Sequence, residues 1–320
     1  MSFNKQTKFF CQTQTLAVAA ILAVQFVALQ SGSARAQMTG AAPKTSVVAQ
    51  PLPAVPSAIA TVAASNPAAK PSVATAPAGA AACTTPAALA RLDRPLIHMM
   101  RRLANGQPLT VVAIGSSSTA GAGASSPDAT YPSRLAVELR ARFPGREITV
   151  LNRGVNGEET NNMMARFAAD VVAVHPQLVL WQIGTNSVLR DHPLNPHAVQ
   201  LHDGIEQLKA AGADVVLIDP QFAPAVIAKT ETQGMIEQIA RAAKEEDVDL
   251  FQRFAVMRDW HNVQHLSFDA FVSPDHLHMN DWSYACLAKL LGGAIAEAAT
   301  RPIAAASVHP DTISVKPDVR

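Results

Sequence analysis

Leu109-Thr-Val-Val-Ala-Ile114 runs directly into Gly115-Ser116-Ser117-Ser118-Thr119-Ala120-Gly121-Ala122-Gly123. An uncharged, β-branched run closed by glycine reads as a strand buried on both faces, and the Gly/Ser-rich segment reads as the turn leaving its carboxyl end. The pattern recurs in Ile148-Thr-Val-Leu151, in Leu178-Val-Leu-Trp-Gln-Ile183, in Val215-Val-Leu-Ile218 before Asp219-Pro220, and over residues 248–254. Helical periodicity fills the gaps: residues 131–143, with Leu135, Leu139 and Phe143 at four-residue steps, then 159–174, 198–211 stopped by Gly212, 235–246, and a closing helix over 281–298. Continuous apolar strands alternating with helices predict an α/β fold, a three-layer α/β/α sandwich with a five-stranded parallel, flavodoxin-like sheet. Ligands in such sheets sit outside the carboxyl ends of the strands.

The flanks read differently. Of the 26 Lys and Arg residues, five (Lys5, Lys8, Arg35, Lys44, Lys70) lie in residues 1–82 with no acidic residue, so residues 83–320 carry a net charge of −4. A slightly acidic body is not a general nucleic-acid binder, which needs a basic excess to displace counterions. Lys5 and Lys8, an apolar run over 16–29 and the small-residue site Ala34-Arg35-Ala36 follow the secretory order, so residues 1–36 are expected to be a signal peptide and the address periplasmic or secreted. Residues 37–82, rich in Ala and Pro, predict a disordered tether; residues 83–300 the folded domain; residues 301–320 a flexible tail. No apolar run within 83–320 reaches the roughly 20 residues of a bilayer span, so no stable membrane span is expected after signal cleavage. After processing, Cys83 and Cys286 remain, and either a bridge or two free thiols fits the sequence.

Polar chemistry collects where strands end. The first strand leads to Gly115-Ser116-Ser117, the second to Asn152-Arg153-Gly154-Val155-Asn156-Gly157-Glu158-Glu159-Thr160, the third to Gly184-Thr185-Asn186, and Asp275-His276-Leu277-His278 precedes the last helix. This set resembles the SGNH (GDSL-type) hydrolase family over most of the body. The resemblance implies an SGNH hydrolase-like fold, with Ser117 as nucleophile, Asp275 and His278 completing its triad, and an oxyanion hole built from Ser117, Gly157 and Asn186. Gly154 is the alternative to Gly157. Ser116 stands where that family carries aspartate, which puts the local support of the first loop in question.

The residue types suit that chemistry. A serine hydroxyl is a poor nucleophile until a base takes its proton. A histidine such as His278 is the residue type suited to that role, and Asp275 can orient the ring and steady the imidazolium. Glycine at 157 lets backbone approach a substrate without a Cβ in the way. The competing readings are plainer. The Ser/Gly turn could cradle phosphate, but no Walker lysine follows it. Asp275, His276 and His278 have the makings of a zinc set, and His276 is the alternative base. His192, His197, His202, His261 and His265 read as loop or surface residues, Trp181 as strand core, Trp260 as part of an irregular stretch, and Glu158 with Glu159 as the acidic first turn of a helix.

The resemblance, together with the secretory order of the N-terminus, thus leads to an exported serine esterase working through an acyl-serine intermediate without metal or cofactor. Its expected partner is an ester substrate, with O-acetyl esters of carbohydrates, such as acetylated polysaccharide, as the first choice. A lipid or short-chain esterase and an acyltransferase are the alternatives within the fold; a non-catalytic glycan-binding module is the alternative from another class. The sequence sets no oligomeric state.

Overall fold

The computed structural model describes residues 82–302. The expectations for residues 1–36, 37–81 and 303–320 lie outside them. Five parallel strands, β1 (Leu109–Gly115), β2 (Ile148–Gly154), β3 (Leu178–Gln182), β4 (Asp214–Ile218) and β5 (Asp249–Phe251), form one sheet in the order β2-β1-β3-β4-β5. That is the doubly wound α/β order the alternating pattern implies.

Alternation along each strand divides the core into two layers. Val111 and Ala113 of β1, with Leu178 and Leu180 of β3, pack on one face beneath the helices Tyr131–Arg142 and Asp281–Thr300. Val112, Ile114, Val179 and Trp181 pack on the other, with Ile205 and Leu208 of the helix Leu194–Ala210 and Ile239 of the helix Thr232–Glu245. Trp181 is fully buried and meets Phe167 edge-on at 5.2 Å, as a core residue should. Among the described residues no helix is long and apolar enough to cross a membrane.

The structure departs from the sequence expectations in several places. The helix expected over 159–174 is broken into Thr160–Ala165, Phe167–Asp170 and a short 3-10 turn. The break falls at Arg166, whose guanidinium donates to Glu158, Asp170 and the Arg153 carbonyl. The strand expected over 248–254 ends at Phe251, because Arg253 turns inward and opens a helix, Arg253–Asn262. Trp260 therefore lies on a helix, buried against Phe271 and Trp282, with its indole donating to the Thr84 carbonyl. His197 is buried rather than superficial, held between Thr160 and Gln238.

Cys83 and Cys286 are joined as a disulfide with Cα atoms 5.4 Å apart. The start of the domain is thereby pinned to its last helix.

Candidate active site

Ser117 opens the helical turn Ser117–Ala120 just past the carboxyl end of β1, so its backbone N–H has no acceptor within that helix. The turn is held from below by Gln182, the one polar side chain in β3. Its Oε1 accepts from the Ser116 N–H at 3.0 Å, the Ser116 hydroxyl at 3.1 Å and the Thr119 hydroxyl at 3.2 Å. Ser116 thus supports the loop as a small buried donor. With serine in place of aspartate, the loop is tied to the sheet through Gln182.

The segment before the last helix is a tight loop closed by the Val272–Met279 bridge. Within it, His278 Nδ1 lies 2.5 Å from Asp275 Oδ2, and His278 Nε2 lies 2.7 Å from Ser117 Oγ. An ionised carboxylate only accepts hydrogen bonds, so Nδ1 carries the proton and Nε2 offers its lone pair to the Ser117 hydroxyl. Asp275 Oδ1 takes three further donors: the Ser273 hydroxyl and the N–H groups of Leu277 and His278. Burial opposes the charge on Asp275, but the hydrogen bonds from Ser273, His278 and Leu277 overcome it and hold the carboxyl well below the usual carboxylate range. His276 has a left-handed backbone at φ 60°, and its carbonyl accepts from the Ala225 N–H. It takes no part in the hydrogen bonds to Ser117 or Asp275.

The two candidate glycines differ. Gly154 ends β2 against the Ser117 turn: a Cβ there would come within 2.0 Å of Ala120 N and 2.5 Å of Thr119 C. Its role is close packing of two backbones. Gly157 lies in an exposed turn at φ 77°, and the nearest atom to a Cβ there is Arg190 Nη2 at 3.6 Å. The Gly157 carbonyl accepts from Arg190 Nη2 at 2.8 Å, and the adjoining Glu158 carbonyl accepts from Asn186 Nδ2 at 2.7 Å. One amide proton of Asn186 is thereby engaged, and the second is available to an oxyanion.

Glu159 anchors this loop. It caps the helix Thr160–Ala165 and accepts from Ser187, Arg190 and His192. Burial raises the cost of its charge, and hydrogen bonds from His192, Ser187 and Arg190 hold its carboxyl below the ordinary range. Contrary to the expectation for this pair, Glu158 accepts from Arg166, and Glu159 is the N-cap residue just before the helix, whose first turn holds no acidic residue. A polar cavity of about 370 Å³ lies beside it, lined in part by Asn161, Asn162, Ser187, His192 and Gln200.

Ser117, His278 and Asp275 are therefore brought into one hydrogen-bonded line, and Asn186 and Gly157 share a hydrogen-bonded loop system. Among the described residues no group of three His, Cys, Asp or Glu side chains is placed to hold a metal ion. Sequence reasoning did not single out Gln182, Ser273, Gln221, Arg190 or Arg253. Gln182 alone left a trace, as a lone amide in an apolar strand; the others become visible only when distant segments are brought together.

Two curated relatives match part of the chain. An arylesterase of Vibrio mimicus is 32% identical over 80 residues, covering 25% of this chain and 40% of the relative. An acetylxylan esterase of Geobacillus stearothermophilus is 30% identical over 92 residues, covering 29% and 42%. The chain thus spans about two fifths of the length of these relatives. Among solved structures, a two-domain esterase active on acetylated mannans superposes with a TM-score of 0.55 at 19% identity, covering 67% of this chain and 56% of that one. A variant of a Geobacillus acetyl-xylooligosaccharide esterase superposes at 0.51 and 21% identity, covering 58% and 94%. At these identities the likeness is one of fold. Residues 82–301, the greater part of the sequence, match the non-GDSL lipase-like family, in keeping with a first block that reads Gly-Ser-Ser rather than Gly-Asp-Ser, and the chain belongs to that family.

Proposed function

We propose that the protein is an exported serine esterase of SGNH type that removes O-acetyl groups from carbohydrates through an acyl-serine intermediate. The observation that carries the mechanism is the continuous line Ser117 Oγ–His278 Nε2 at 2.7 Å and His278 Nδ1–Asp275 Oδ2 at 2.5 Å. In the reaction, His278 takes the Ser117 proton as Oγ attacks the ester carbon. The negative charge that develops on the carbonyl oxygen meets the N–H groups of Ser117 and Gly157 and the amide of Asn186; one such donor is typically worth about 3–4 kcal/mol of transition-state stabilisation. His278 then returns the proton to the departing alcohol oxygen. Water, deprotonated by the same imidazole, attacks the acyl-serine, and acetate leaves as Ser117 recovers its proton.

The carbohydrate side of the proposal is supported by a partial relative named as an acetylxylan esterase. Export is supported by the order of Lys5, Lys8, the apolar run and Ala34-Arg35-Ala36, and by the Cys83–Cys286 disulfide, which belongs to an oxidising compartment. In this proposal residues 83–300 are the catalytic body, residues 37–82 its tether and residues 301–320 a tail.

The test is acetate release from acetylated xylan and acetylated mannan, alongside p-nitrophenyl acetate turnover, by the wild type and Ser117→Ala. Release from a polysaccharide that falls at least about 10³-fold in the variant supports the proposal. Turnover of p-nitrophenyl acetate without release from any polysaccharide overturns its carbohydrate part. No turnover of any ester overturns the whole.

A further inference from the structure

The serine and histidine halves of the site come from segments far apart in sequence, and something must hold them in register. The side chain of Gln221, just past the carboxyl end of β4 and fully buried, links the turn that carries Asn186 to the loop that carries His278. Its Oε1 accepts from the Thr185 hydroxyl at 3.1 Å, one residue before Asn186. Its Nε2 donates to the Leu277 carbonyl at 3.1 Å, one residue before His278. The Leu277 carbonyl and the His278 N–H belong to one peptide group. That N–H donates to Asp275 Oδ1 at 2.9 Å, so the peptide carrying the His278 Cα is held at both poles, one by Asp275 and the other by Gln221.

The orientation of the Gln221 amide is also fixed. Arg253, fully buried, donates from Nη2 to Gln221 Oε1 at 3.0 Å and from Nε to the Asp219 carbonyl at 2.9 Å. A guanidinium only donates, so it forces the amide oxygen towards itself and the NH2 towards Leu277. An inverted amide would set NH2 against guanidinium and oxygen against carbonyl.

We infer that Gln221, oriented by Arg253, is a positioning residue that holds the His278 imidazole in register with Ser117 and Asn186. The inference rests on the serine-esterase reading. Misplacement of a catalytic group by about 1 Å can cost about 10²-fold in rate, so losing this link acts on kcat rather than on substrate binding.

The test compares wild type, Gln221→Leu and Gln221→Glu on p-nitrophenyl acetate, with kcat expressed per folded molecule from circular dichroism and melting temperature. Gln221→Leu is expected to lower kcat by about 10- to 100-fold with KM within about twofold of wild type. Gln221→Glu keeps the volume and the acceptors for Thr185 and Arg253 but turns an oxygen towards the Leu277 carbonyl. Its kcat is expected to fall further as that carboxyl ionises with rising pH, a slope that Gln221→Leu lacks and that a merely structural role would not produce. If Gln221→Leu fails to fold, Gln221→Glu decides alone. Wild-type kcat per folded molecule in the folded variants, without that slope, overturns the inference. Ser117→Ala in the same assay separates the two levels: activity retained there defeats the serine reading itself, whereas an inert Ser117→Ala beside a fully active Gln221→Glu defeats only the role of Gln221.

Discussion

The Ser273 hydroxyl donates to Asp275 Oδ1 at 2.7 Å, and this contact helps keep the other carboxylate oxygen turned to His278. With Oδ1 also accepting from two N–H groups of its own loop, the carboxylate has little freedom to rotate. Asp275→Asn keeps the shape but presents an amide where Nδ1–H needs an acceptor, and is expected to lower kcat by about 10²–10⁴-fold. Ser273→Ala should cost far less, about 3- to 10-fold, since it removes one hydrogen bond among several. Because hydrogen bonding holds Asp275 well below the usual carboxylate range, kcat/KM should show no inflection from this group above about pH 4. Steady-state kinetics from pH 4 to 9 check all three; an Asp275→Asn variant of near wild-type kcat would remove Asp275 from the mechanism.

Gly154 and Gly157 should respond differently to alanine. At Gly154 the new Cβ meets the Ala120 and Thr119 backbone, which has no room to move without displacing the Ser117 turn, so Gly154→Ala is expected to cost about 3 kcal/mol or more. At Gly157 there is space but a positive φ, so Gly157→Ala should cost only about 1–2 kcal/mol. In the proposed mechanism its main effect falls on kcat, through rotation of the turn whose N–H would face the oxyanion. Denaturant melts paired with kinetics would separate these outcomes, and equal destabilisation of the two variants would contradict the distinction.

The Cys83–Cys286 bond closes a loop of 203 residues, and Cys83 lies near the start of the described residues. Cross-links of this kind typically stabilise by about 2–4 kcal/mol. Cys286→Ala, or reduction, is therefore expected to lower the melting temperature by several degrees. Neither cysteine takes part in the hydrogen bonds that join Ser117, His278 and Asp275, so kcat at 25 °C is expected to stay unchanged. Differential scanning fluorimetry with and without reductant, followed by an activity assay, checks both halves.

Asp219 is buried beside Arg253, and burial pushes its carboxyl up to about 7. The folded state thus holds this proton more tightly than the unfolded chain does. The associated stability is fully present below about pH 4 and is lost as pH rises through about 7. Asp219→Asn cannot ionise, so relative to wild type it should gain stability between pH 5 and pH 8. Melting temperatures at those two pH values test the sign, and a relative loss for Asp219→Asn would reverse it.

Much of the fold was legible because each strand is a continuous apolar run and each turn follows it closely. Ser117, Asn186 and the Asp275–His278 pair stood out in the sequence through the resemblance to SGNH hydrolases, together with their places at strand ends or before the last helix, where an α/β sheet presents its ligands. The supports were not legible. Gln182 hides in an apolar strand, and Gln221 and Arg253 acquire meaning only when β4 and the segment after β5 lie side by side. The helix from Arg253 was missed for the same reason: a buried guanidinium, rather than local periodicity, ends the strand before it.

The most direct measurement is mass spectrometry of the chain after brief reaction with a fluorophosphonate, with the labelled peptide sequenced. A single adduct on Ser117, formed at least about 10²-fold more slowly in His278→Ala, is the predicted result. An adduct on another residue, or labelling of Ser117 at the wild-type rate without the imidazole, would contradict it.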